Sequence, residues 1–341
     1  MTHDPDSIPV TVLTGFLGSG KTTLLRHLLG APQFADTAVL INEFGEIGLD
    51  HLLVGALDDD IVLLQSGCIC CTIRDDLRTA IRGLYDRRAR GEIPNFRRLA
   101  IETTGLADPT PVLSTILHDP VLRHHFHLGN VVTTVDGVTG LTDLDAHPET
   151  VKQAAIADRL VITKRDLAVP ATVEALRAAL RRLNPAANQL ETENGVADAE
   201  LLLAEDAVGA ATRDETVQRW LADGGSDHAH TAPFDRNRHD RDIRACCLVL
   251  ERPIAWAAFG IWLTMLLNRH GADVLRLKAI LTVAGADSPV VVQAVQHLVY
   301  PPTHLANWPF GDRHSRLVLI TRGLDQAALR LSLERFMALG R

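Results

Sequence analysis

The sequence has no excess of positive charge and no long apolar run, and both absences exclude classes of protein. Its 34 Lys and Arg residues against 42 Asp and Glu residues give a formal net charge of −8, so we expect neither a nucleic acid nor a membrane as partner. The longest uncharged apolar run, residues 254–267, is shorter than the roughly 20 residues that span a bilayer. Residues 1–7 lack the basic start and apolar core of a signal peptide.

Cysteines are few and lie in two groups, with Cys68, Cys70 and Cys71 in one and Cys246 and Cys247 in the other. An odd count of five, with adjacent positions, is a poor basis for a secreted disulfide framework. The cysteine usage therefore favours a reducing compartment, and we expect the protein to be cytoplasmic.

Apolar runs alternate with amphipathic stretches from Pro9 to about Leu203, and we expect a first domain over residues 1–205. The strand candidates are rich in Val, Leu and Ile without two-residue alternation, which is typical of strands covered on both faces. They are residues 10–14, 38–42, 61–65, 99–102, 131–135 and 160–163. Between them, residues such as Leu77, Ile81 and Leu84 repeat at helical spacing. The alternation predicts an α/β fold with a mostly parallel, doubly wound sheet.

The rest of the chain predicts a linker and a second domain, as expected when 341 residues exceed the roughly 250–300 at which single cores stop growing. Residues 206–241 are polar, contain glycine and lack periodicity, which is typical of a linker. Its histidines His228, His230 and His239 either load metal or are simply solvated. Strand candidates at 245–250 and 274–283, helix candidates at 254–268 and 325–338, and apolar runs at 290–298 and 317–321 predict a smaller α+β domain over residues 242–341.

Residues 15–22 match the phosphate-binding P-loop pattern and lie between a strand candidate and a helical stretch. The glycines would let backbone N–H groups surround the β-phosphate, and the helix N-terminus would add its partial positive charge. Lys21 would contact the β- and γ-phosphate oxygens, and the Thr22 hydroxyl would bind Mg²⁺. A chance glycine-rich turn is much less favoured, because both the pattern and its context are complete. The nucleotide-binding residues predicted here are Gly15, Gly18, Ser19, Gly20, Lys21, Thr22 and Thr23.

Residues 99–105 supply the acidic residue that a P-loop needs at the end of a neighbouring strand. Glu102 would hold the magnesium ion or its water, and the Gly105 amide would approach the γ-phosphate. For this segment alone, an ordinary surface glutamate is an equal alternative. The candidate catalytic residues are Lys21, Thr22, Glu102 and Gly105. Because two threonines, rather than a glutamine, precede Gly105, we expect slow intrinsic hydrolysis.

Thr163, Lys164 and Asp166 follow a strand candidate and resemble the guanine-reading Asn-Lys-x-Asp element of GTPases, with threonine in the place of asparagine. A carboxylate accepts hydrogen bonds from guanine N1–H and the 2-amino group, and adenine lacks both donors. The stem of Lys164 would cover one face of the base. A simple turn after the strand is the alternative, and the position one strand–helix unit after residues 131–136 makes it less favoured.

Cys68, Cys70 and Cys71 follow the strand candidate at residues 61–65, which predicts them at the same sheet edge as the P-loop. Three thiolates so close repel one another, and coordination of a soft cation relieves the repulsion. Because Zn²⁺ usually takes four ligands, the fourth would be water, another residue or an acceptor protein. A redox-sensing dithiol and simple burial are the alternatives. For Cys246 and Cys247, core packing is favoured.

These motifs occur in the order seen in the CobW family of P-loop GTPases, which the chain resembles over nearly its whole length. Besides the P-loop, the resemblance is carried by residues 42–46, 68–71, 102–109 and 163–166, and by 275–280 and 308–315 for the family's C-terminal domain. It implies a GTP-hydrolysing metallochaperone whose cofactors are GTP, Mg²⁺ and Zn²⁺, with Co²⁺ or Ni²⁺ as alternatives to zinc. It further implies that Cys68, Cys70 and Cys71 are transfer-site ligands, that Glu43 in the first switch lies close to this metal or to the Mg²⁺, and that Thr22 binds the Mg²⁺.

The resemblance implies client metalloproteins as partners and permits a homodimer. We expect the γ-phosphate to order residues 42–46 and the segment after Glu102, and so to reposition the thiolates between them. A cobalt-handling GTPase of cobalamin synthesis and a metalloenzyme activator are alternatives within the family, the first weakened by the lack of a long histidine run. A P-loop kinase or ATPase acting on a small molecule, and a redox switch, are alternatives of other classes.

Overall fold

The chain is divided into two compact units in the computed structural model. The structure describes residues 7–31, 34, 36–41, 73–193, 195–203, 243–309 and 312–339. The described residues up to 203, except residues 181–186, belong to the first unit, and those from 243 onward belong to the second. The predicted linker, with His228, His230 and His239, lies outside the described residues, and so do the predicted domain boundaries.

The first unit is built on a parallel sheet with the strand order β2-β3-β1-β4-β5-β6. Its strands are β1 (Ile8–Gly15), β2 (Thr37–Ile41), β3 (Arg98–Glu102), β4 (Phe126–Asp136), β5 (Arg159–Thr163) and β6 (Asn188–Glu191). Its helices are α1 (Lys21–Leu29), α2 (Ile73–Ala89), α3 (Thr110–His118), α4 (Leu122–His125), α5 (Gly140–Ala146), α6 (Pro148–Ile156), α7 (Pro170–Leu183) and α8 (Ala199–Leu203). The predicted α/β class with a mostly parallel sheet is confirmed.

The strands of the first unit form because their sequences are apolar on both faces. Every residue of β2 and of β5 is buried, as expected for a parallel sheet between helices. The strand β6 was not predicted, because its sequence Asn-Gln-Leu-Glu is mostly polar and only half-buried at the sheet edge. The strand candidate at residues 61–65 lies outside the described residues.

The parallel arrangement brings the carboxyl ends of four neighbouring strands to one edge. There β1 ends at Gly15, β3 at Glu102, β4 at Asp136 and β5 at Thr163. Helix α1 starts at the same edge, and its buried residues Leu24, Leu25 and Leu28 pack in one core cluster with sheet residues. This edge is where a doubly wound sheet holds its ligand.

The second unit contains an antiparallel sheet with the order β10-β9-β8-β12-β7 and with β11 paired to β9. Its strands are β7 (Ile243–Leu250), β8 (Val274–Leu281), β9 (Val290–Val295), β10 (Leu298–Val299), β11 (Thr303–His304) and β12 (Ser315–Arg322), and its helices are α9 (Trp256–His270) and α10 (Gln326–Leu339). The core cluster combines Phe259 and Trp262 of α9 with alternate strand residues such as Leu277 and Leu319. The predicted α+β class is thereby confirmed.

Two apolar runs of the second unit, residues 290–298 and 254–267, can be compared with the elements that they form. The apolar run at 290–298 is not one element, because Gln296 adopts a left-handed conformation with φ 50° and separates β9 from β10. None of the helices within the described ranges is long and apolar enough to cross a membrane. The run at 254–267 instead lies within and just before α9, whose Phe259 and Trp262 are buried.

Candidate nucleotide-binding site

The P-loop connects the end of β1 to the start of α1 through residues with unusual backbone conformations. Gly15, Gly18 and Gly20 have φ values of 142°, 71° and 88°, which favour glycine. A Cβ on Gly15 would lie 2.3 Å from Thr134 Oγ1, so this glycine also permits the close approach of β4. Gly20 is the N-cap of α1 and makes no side-chain cap, so the first N–H groups of the helix point toward the loop. This arrangement is suited to binding a phosphate.

The ammonium group of Lys21 lies against the loop that precedes it. Its Nζ donates hydrogen bonds to the carbonyl oxygens of Gly15 and Phe16, both at 3.0 Å, and the side chain is buried. A buried cation beside a loop of N–H donors provides strong attraction for an anion such as a polyphosphate.

Thr22 and Glu102 meet across the end of β3. The Thr22 hydroxyl donates to Glu102 Oε1 at 2.8 Å, and the Glu102 carboxylate is 5% exposed. Strand register brings Glu102 beside Leu13 at the end of β1. Hydroxyl and carboxylate oxygens are ligands that Mg²⁺ accepts, so the two side chains fit the ion that the P-loop chemistry requires.

The segment that follows β3 packs directly on the P-loop. A Cβ on Gly105 would lie 2.6 Å from the Leu17 backbone nitrogen, so only glycine fits without a shift of the backbone. The Thr103 hydroxyl donates to the Thr14 hydroxyl at 2.8 Å, both atoms being buried. Lys21, Thr22, Glu102 and Gly105 therefore belong to one continuous site.

The base-reading element is hydrogen-bonded to the P-loop. The Thr163 hydroxyl, at the end of β5, donates to the Ser19 carbonyl at 2.7 Å. Lys164 has a left-handed φ of 54°, which turns the chain into a short 3₁₀-helix, Arg165–Leu167, where Asp166 is exposed. Of the remaining predicted residues, Thr23 is the third residue of α1 and is exposed.

Asp136 at the end of β4 is a site residue that the sequence reasoning missed. Its Oδ2 accepts a hydrogen bond from Lys164 Nζ at 2.6 Å, and its Oδ1 accepts one from the Val138 backbone N–H at 2.8 Å. The next residue, Gly137, lies so close to the Thr163 carbonyl that a Cβ would be 2.6 Å away. An acidic residue and a glycine after an apolar strand, the signal that singled out Glu102, were both present here.

Of the predicted metal ligands, Thr22 is the one that lies among the described residues. Cys68, Cys70, Cys71 and Glu43 lie outside the described residues, as does the rest of the predicted first switch. Within the described ranges, no group of three or more His, Cys, Asp or Glu side chains is arranged to hold a metal ion.

Cys246 and Cys247 occupy opposite faces of β7, because successive residues of a strand alternate. Cys246 belongs to the core cluster, so core packing is correct for it. Cys247 is only half-buried on the other face and lies outside that cluster, and the core prediction is wrong for it. Burial raises the pKa of both thiols, that of Cys247 to about 12, which keeps them protonated at neutral pH.

Together the parallel sheet, the P-loop and the polar groups at its carboxyl edge define a P-loop nucleotide-binding protein. Residues 9–191 match the family model described as CobW/HypB/UreG, nucleotide-binding domain, and residues 243–337 match that of the cobalamin synthesis protein cobW C-terminal domain. The chain belongs to the CobW family of P-loop GTPases.

One similar protein and one solved structure cover nearly the whole chain, and a further protein covers more than half of it. The zinc chaperone YjiA of Escherichia coli is 33% identical over 327 residues, which are 95% of this chain and 96% of that protein. The crystal structure of Zn(II)-bound YjiA GTPase from E. coli is similar with a TM-score of 0.71 at 28% identity, covering 97% of this chain and 99% of the other. The zinc-regulated GTPase metalloprotein activator 1 of Schizosaccharomyces pombe is 34% identical over 206 residues, covering 58% of this chain and 49% of that protein.

Proposed function

We propose that this protein is a GTPase that binds zinc and transfers it to client metalloproteins. The observation that carries the GTPase half of the proposal is the 2.7 Å hydrogen bond from the Thr163 hydroxyl to the Ser19 carbonyl, which joins the proposed guanine-reading element to a complete P-loop. Membership of the CobW family supports it, as do relatives named as a zinc chaperone and a GTPase metalloprotein activator.

Phosphate binding is assigned to the P-loop backbone and to Lys21. The N–H groups at the start of α1 and the Lys21 ammonium group favour the charge that develops on the phosphate oxygens during hydrolysis. Thr22 and Glu102 are the residues that would hold Mg²⁺, which would supply further charge neutralisation. The N–H of Gly105 is the donor next to the γ-phosphate, because this residue packs on Leu17 of the loop.

Slow intrinsic turnover follows from the residues near Gly105. Thr103 and Thr104 stand where a glutamine would orient the attacking water, and the Thr103 hydroxyl already donates to Thr14. A partner, a metal or a second copy of the chain would then accelerate the reaction.

Guanine selection is assigned to Asp166, with Lys164 covering the base. Asp136 holds Lys164 Nζ by an ion pair of 2.6 Å, which fixes the stem of the lysine at the site. Thr163 contributes by holding the element against the P-loop rather than by contacting the base.

Zinc is the cargo, and its ligands are Cys68, Cys70 and Cys71, with Glu43 nearby and Co²⁺ or Ni²⁺ as alternative cargo. Three thiolates leave a fourth position of a tetrahedral site for an acceptor protein, which suits a metal that is passed on. The cytoplasm supplies the reduced thiols that such a site needs. We further propose domain boundaries at 1–205 and 242–341, with residues 206–241 as linker.

Nucleotide binding tests the first half of the proposal. Non-hydrolysable GTP and ATP analogues are compared by calorimetry, and we expect the GTP analogue to bind about a hundredfold tighter or more. Asp166→Asn should remove most of that preference. Asp198→Asn is the control, because Asp198 Oδ1 accepts hydrogen bonds from backbone N–H groups at the start of α8. An undiminished preference in the Asp166 variant would refute the base assignment.

Zinc binding tests the second half. Protein purified under reducing conditions should carry about one equivalent of zinc, which a combined Cys68, Cys70 and Cys71 to Ser variant should lose. Cys247→Ser is the matched control and should keep its zinc. Metal retained in the triple variant would refute the ligand assignment, and absence of metal from both proteins would favour a redox switch. We also expect zinc affinity to depend on the bound nucleotide, because the γ-phosphate would reposition the thiolates. Equal zinc affinity with the GTP analogue and with GDP would refute this coupling.

A further inference from the structure

Helix α6 contacts both backbone segments that form the phosphate site, and the proposed function gives it no role. At its N-terminus, the His147 ring stacks on the Phe16 ring of the P-loop, with a centroid distance of 4.4 Å and an interplanar angle of 24°. One and a half turns later, Gln153 contacts the segment that follows β3.

Gln153 is a fully buried polar residue whose amide group is committed to that segment. Its Nε2 donates to the carbonyl of Gly105 at 3.1 Å and to the carbonyl of Ala107 at 3.0 Å. The turn between them is closed by a hydrogen bond from the Ala107 N–H to the Thr104 carbonyl at 3.1 Å. Both amide hydrogens of Gln153 therefore fix the backbone on either side of Leu106.

The backbone of Gln153 is itself anchored to the sheet. Its carbonyl accepts a hydrogen bond from the Thr133 hydroxyl of β4 at 2.8 Å. The hydrogen bond fixes the backbone of Gln153 relative to β4, the strand next to β1. The side-chain amide therefore holds its two acceptors at a defined distance from that strand.

The neighbouring residue makes a second link to the same segment. Lys152 Nζ lies 2.8 Å from Asp108 Oδ2, and Asp108 Oδ1 accepts from the Thr110 hydroxyl at 2.6 Å at the start of α3. Burial alone would raise the pKa of Asp108, but the hydrogen bonds from Lys152 and Thr110 lower it below the ordinary value, so the carboxylate is charged at neutral pH.

We propose that Gln153 is a positioning residue that holds residues 103–107 in the conformation that receives the terminal phosphate. Gly105 lies on Leu17 with no room for a side chain, so a small displacement of this turn moves its N–H away from the phosphate. The diphosphate part of the nucleotide would contact the P-loop, whereas the hydrogen bonds of Gln153 that the structure describes go to the segment after β3 and to β4. Gln153 therefore determines the preference for triphosphate over diphosphate, a role that rests on the proposed nucleotide binding.

Gln153→Met tests the proposal, because methionine keeps the length of the side chain and removes both donors. We expect the affinity ratio of the non-hydrolysable GTP analogue to GDP to fall about tenfold, with GDP affinity changed less than twofold, because two net hydrogen bonds are lost. Gln189→Met is the matched control, since Gln189 Nε2 donates to the Arg177 carbonyl at 3.2 Å in the same unit, away from the P-loop. It should leave the ratio unchanged.

A merely structural role would lower both affinities alike or only the melting temperature, so an unchanged ratio in folded Gln153→Met overturns the proposal. If that variant lacks a cooperative melting transition, Lys152→Met decides instead, because its ion pair is partly exposed and acts on the same segment. A ratio lowered about threefold supports the proposal, and an unchanged ratio overturns it.

If the wild type prefers adenine nucleotides, the guanine assignment fails separately, and the same ratio is measured with an ATP analogue and ADP.

Discussion

Among the residues that the structure describes, the parallel sheet of the first unit and the antiparallel sheet of the second have six strands each, but they bury polar side chains in different places. In the parallel sheet, Glu102, Asp136 and Thr163 are the last residues of their strands and are all buried. Because the strands run in one direction, these ends meet at one edge, and their polar groups converge on the P-loop.

In the antiparallel sheet, two buried arginines donate hydrogen bonds to separate sets of partners within the unit. Arg276 in β8 donates to Gln293 Oε1 at 2.8 Å and to the Tyr300 hydroxyl at 3.2 Å. Arg316 in β12 donates to both oxygens of Asp312, at 2.8 and 2.7 Å. Strand ends alternate between two edges there, so no edge collects them.

We therefore expect the parallel sheet to carry the nucleotide chemistry and the antiparallel sheet to contribute mainly to stability. A substitution at the parallel edge should change nucleotide binding with little effect on folding. A substitution in the antiparallel unit should do the reverse.

The largest effect is expected from Trp262→Ala in α9. Trp262 is 2% exposed, and its indole N–H donates to the Ser332 hydroxyl at 3.2 Å, so we expect a loss of about 3–5 kcal/mol in the free energy of unfolding. Trp256→Ala, in the same helix but 43% exposed, is the control and should cost under about 1 kcal/mol. Urea denaturation measures both. Weaker nucleotide binding by the folded Trp262 variant would contradict the division of roles between the two sheets.

Lys21→Met should lower GTP affinity about a hundredfold, because the charged donor at the phosphates is lost. Lys278→Met makes the same change in β8 of the antiparallel sheet and should leave the affinity within about twofold. Titration of a fluorescent nucleotide measures both variants. A comparable loss at Lys278 would contradict the division between the sheets.

The strands and the P-loop were predictable because they depend on local patterns. The apolar runs predicted five of the six strands described in the parallel sheet. The P-loop pattern requires glycines, and Gly15, Gly18 and Gly20 have the positive φ angles that favour this residue. Asp136 was missed because its role depends on Lys164, which lies one strand–helix unit further along the chain. Gln153 was missed because a glutamine in an amphipathic helix has no signal of its own, and its two acceptors arise only from tertiary packing.

Asp136→Asn should lower GTP affinity about fivefold. Asparagine can still accept the hydrogen bond from the Val138 N–H, but it loses the charge that holds Lys164, whose side chain is 37% exposed and therefore partly screened. Asp143→Asn is the control, since Asp143 Oδ2 accepts from the exposed Thr139 hydroxyl. Calorimetry with the GTP analogue measures the difference, and equal affinities for wild type and the Asp136 variant would remove Asp136 from the site.

The smallest effect is expected at Asp312, and it should appear as a change with pH. Hydrogen bonds from Arg316 hold the pKa of Asp312 well below its ordinary value, at about 2. The folded state thus favours the carboxylate, and the resulting stability is present above about pH 4 and is lost as pH falls toward 2. Because the Asp312 side chain is 42% exposed, solvent screening should limit the contribution to under about 1 kcal/mol.

Asp312→Asn should therefore be slightly less stable than wild type at pH 7, and the difference should vanish near pH 2. Urea denaturation across this range measures it, with Asp273→Asn as the control, because Asp273 and Arg322 form an exposed pair at 3.4 Å. Nucleotide affinity at pH 7 should be the same in both variants. If it fell with the Asp312 substitution, the ion pair of Arg316 and Asp312 would affect nucleotide binding, and the contrast between the two sheets would no longer hold.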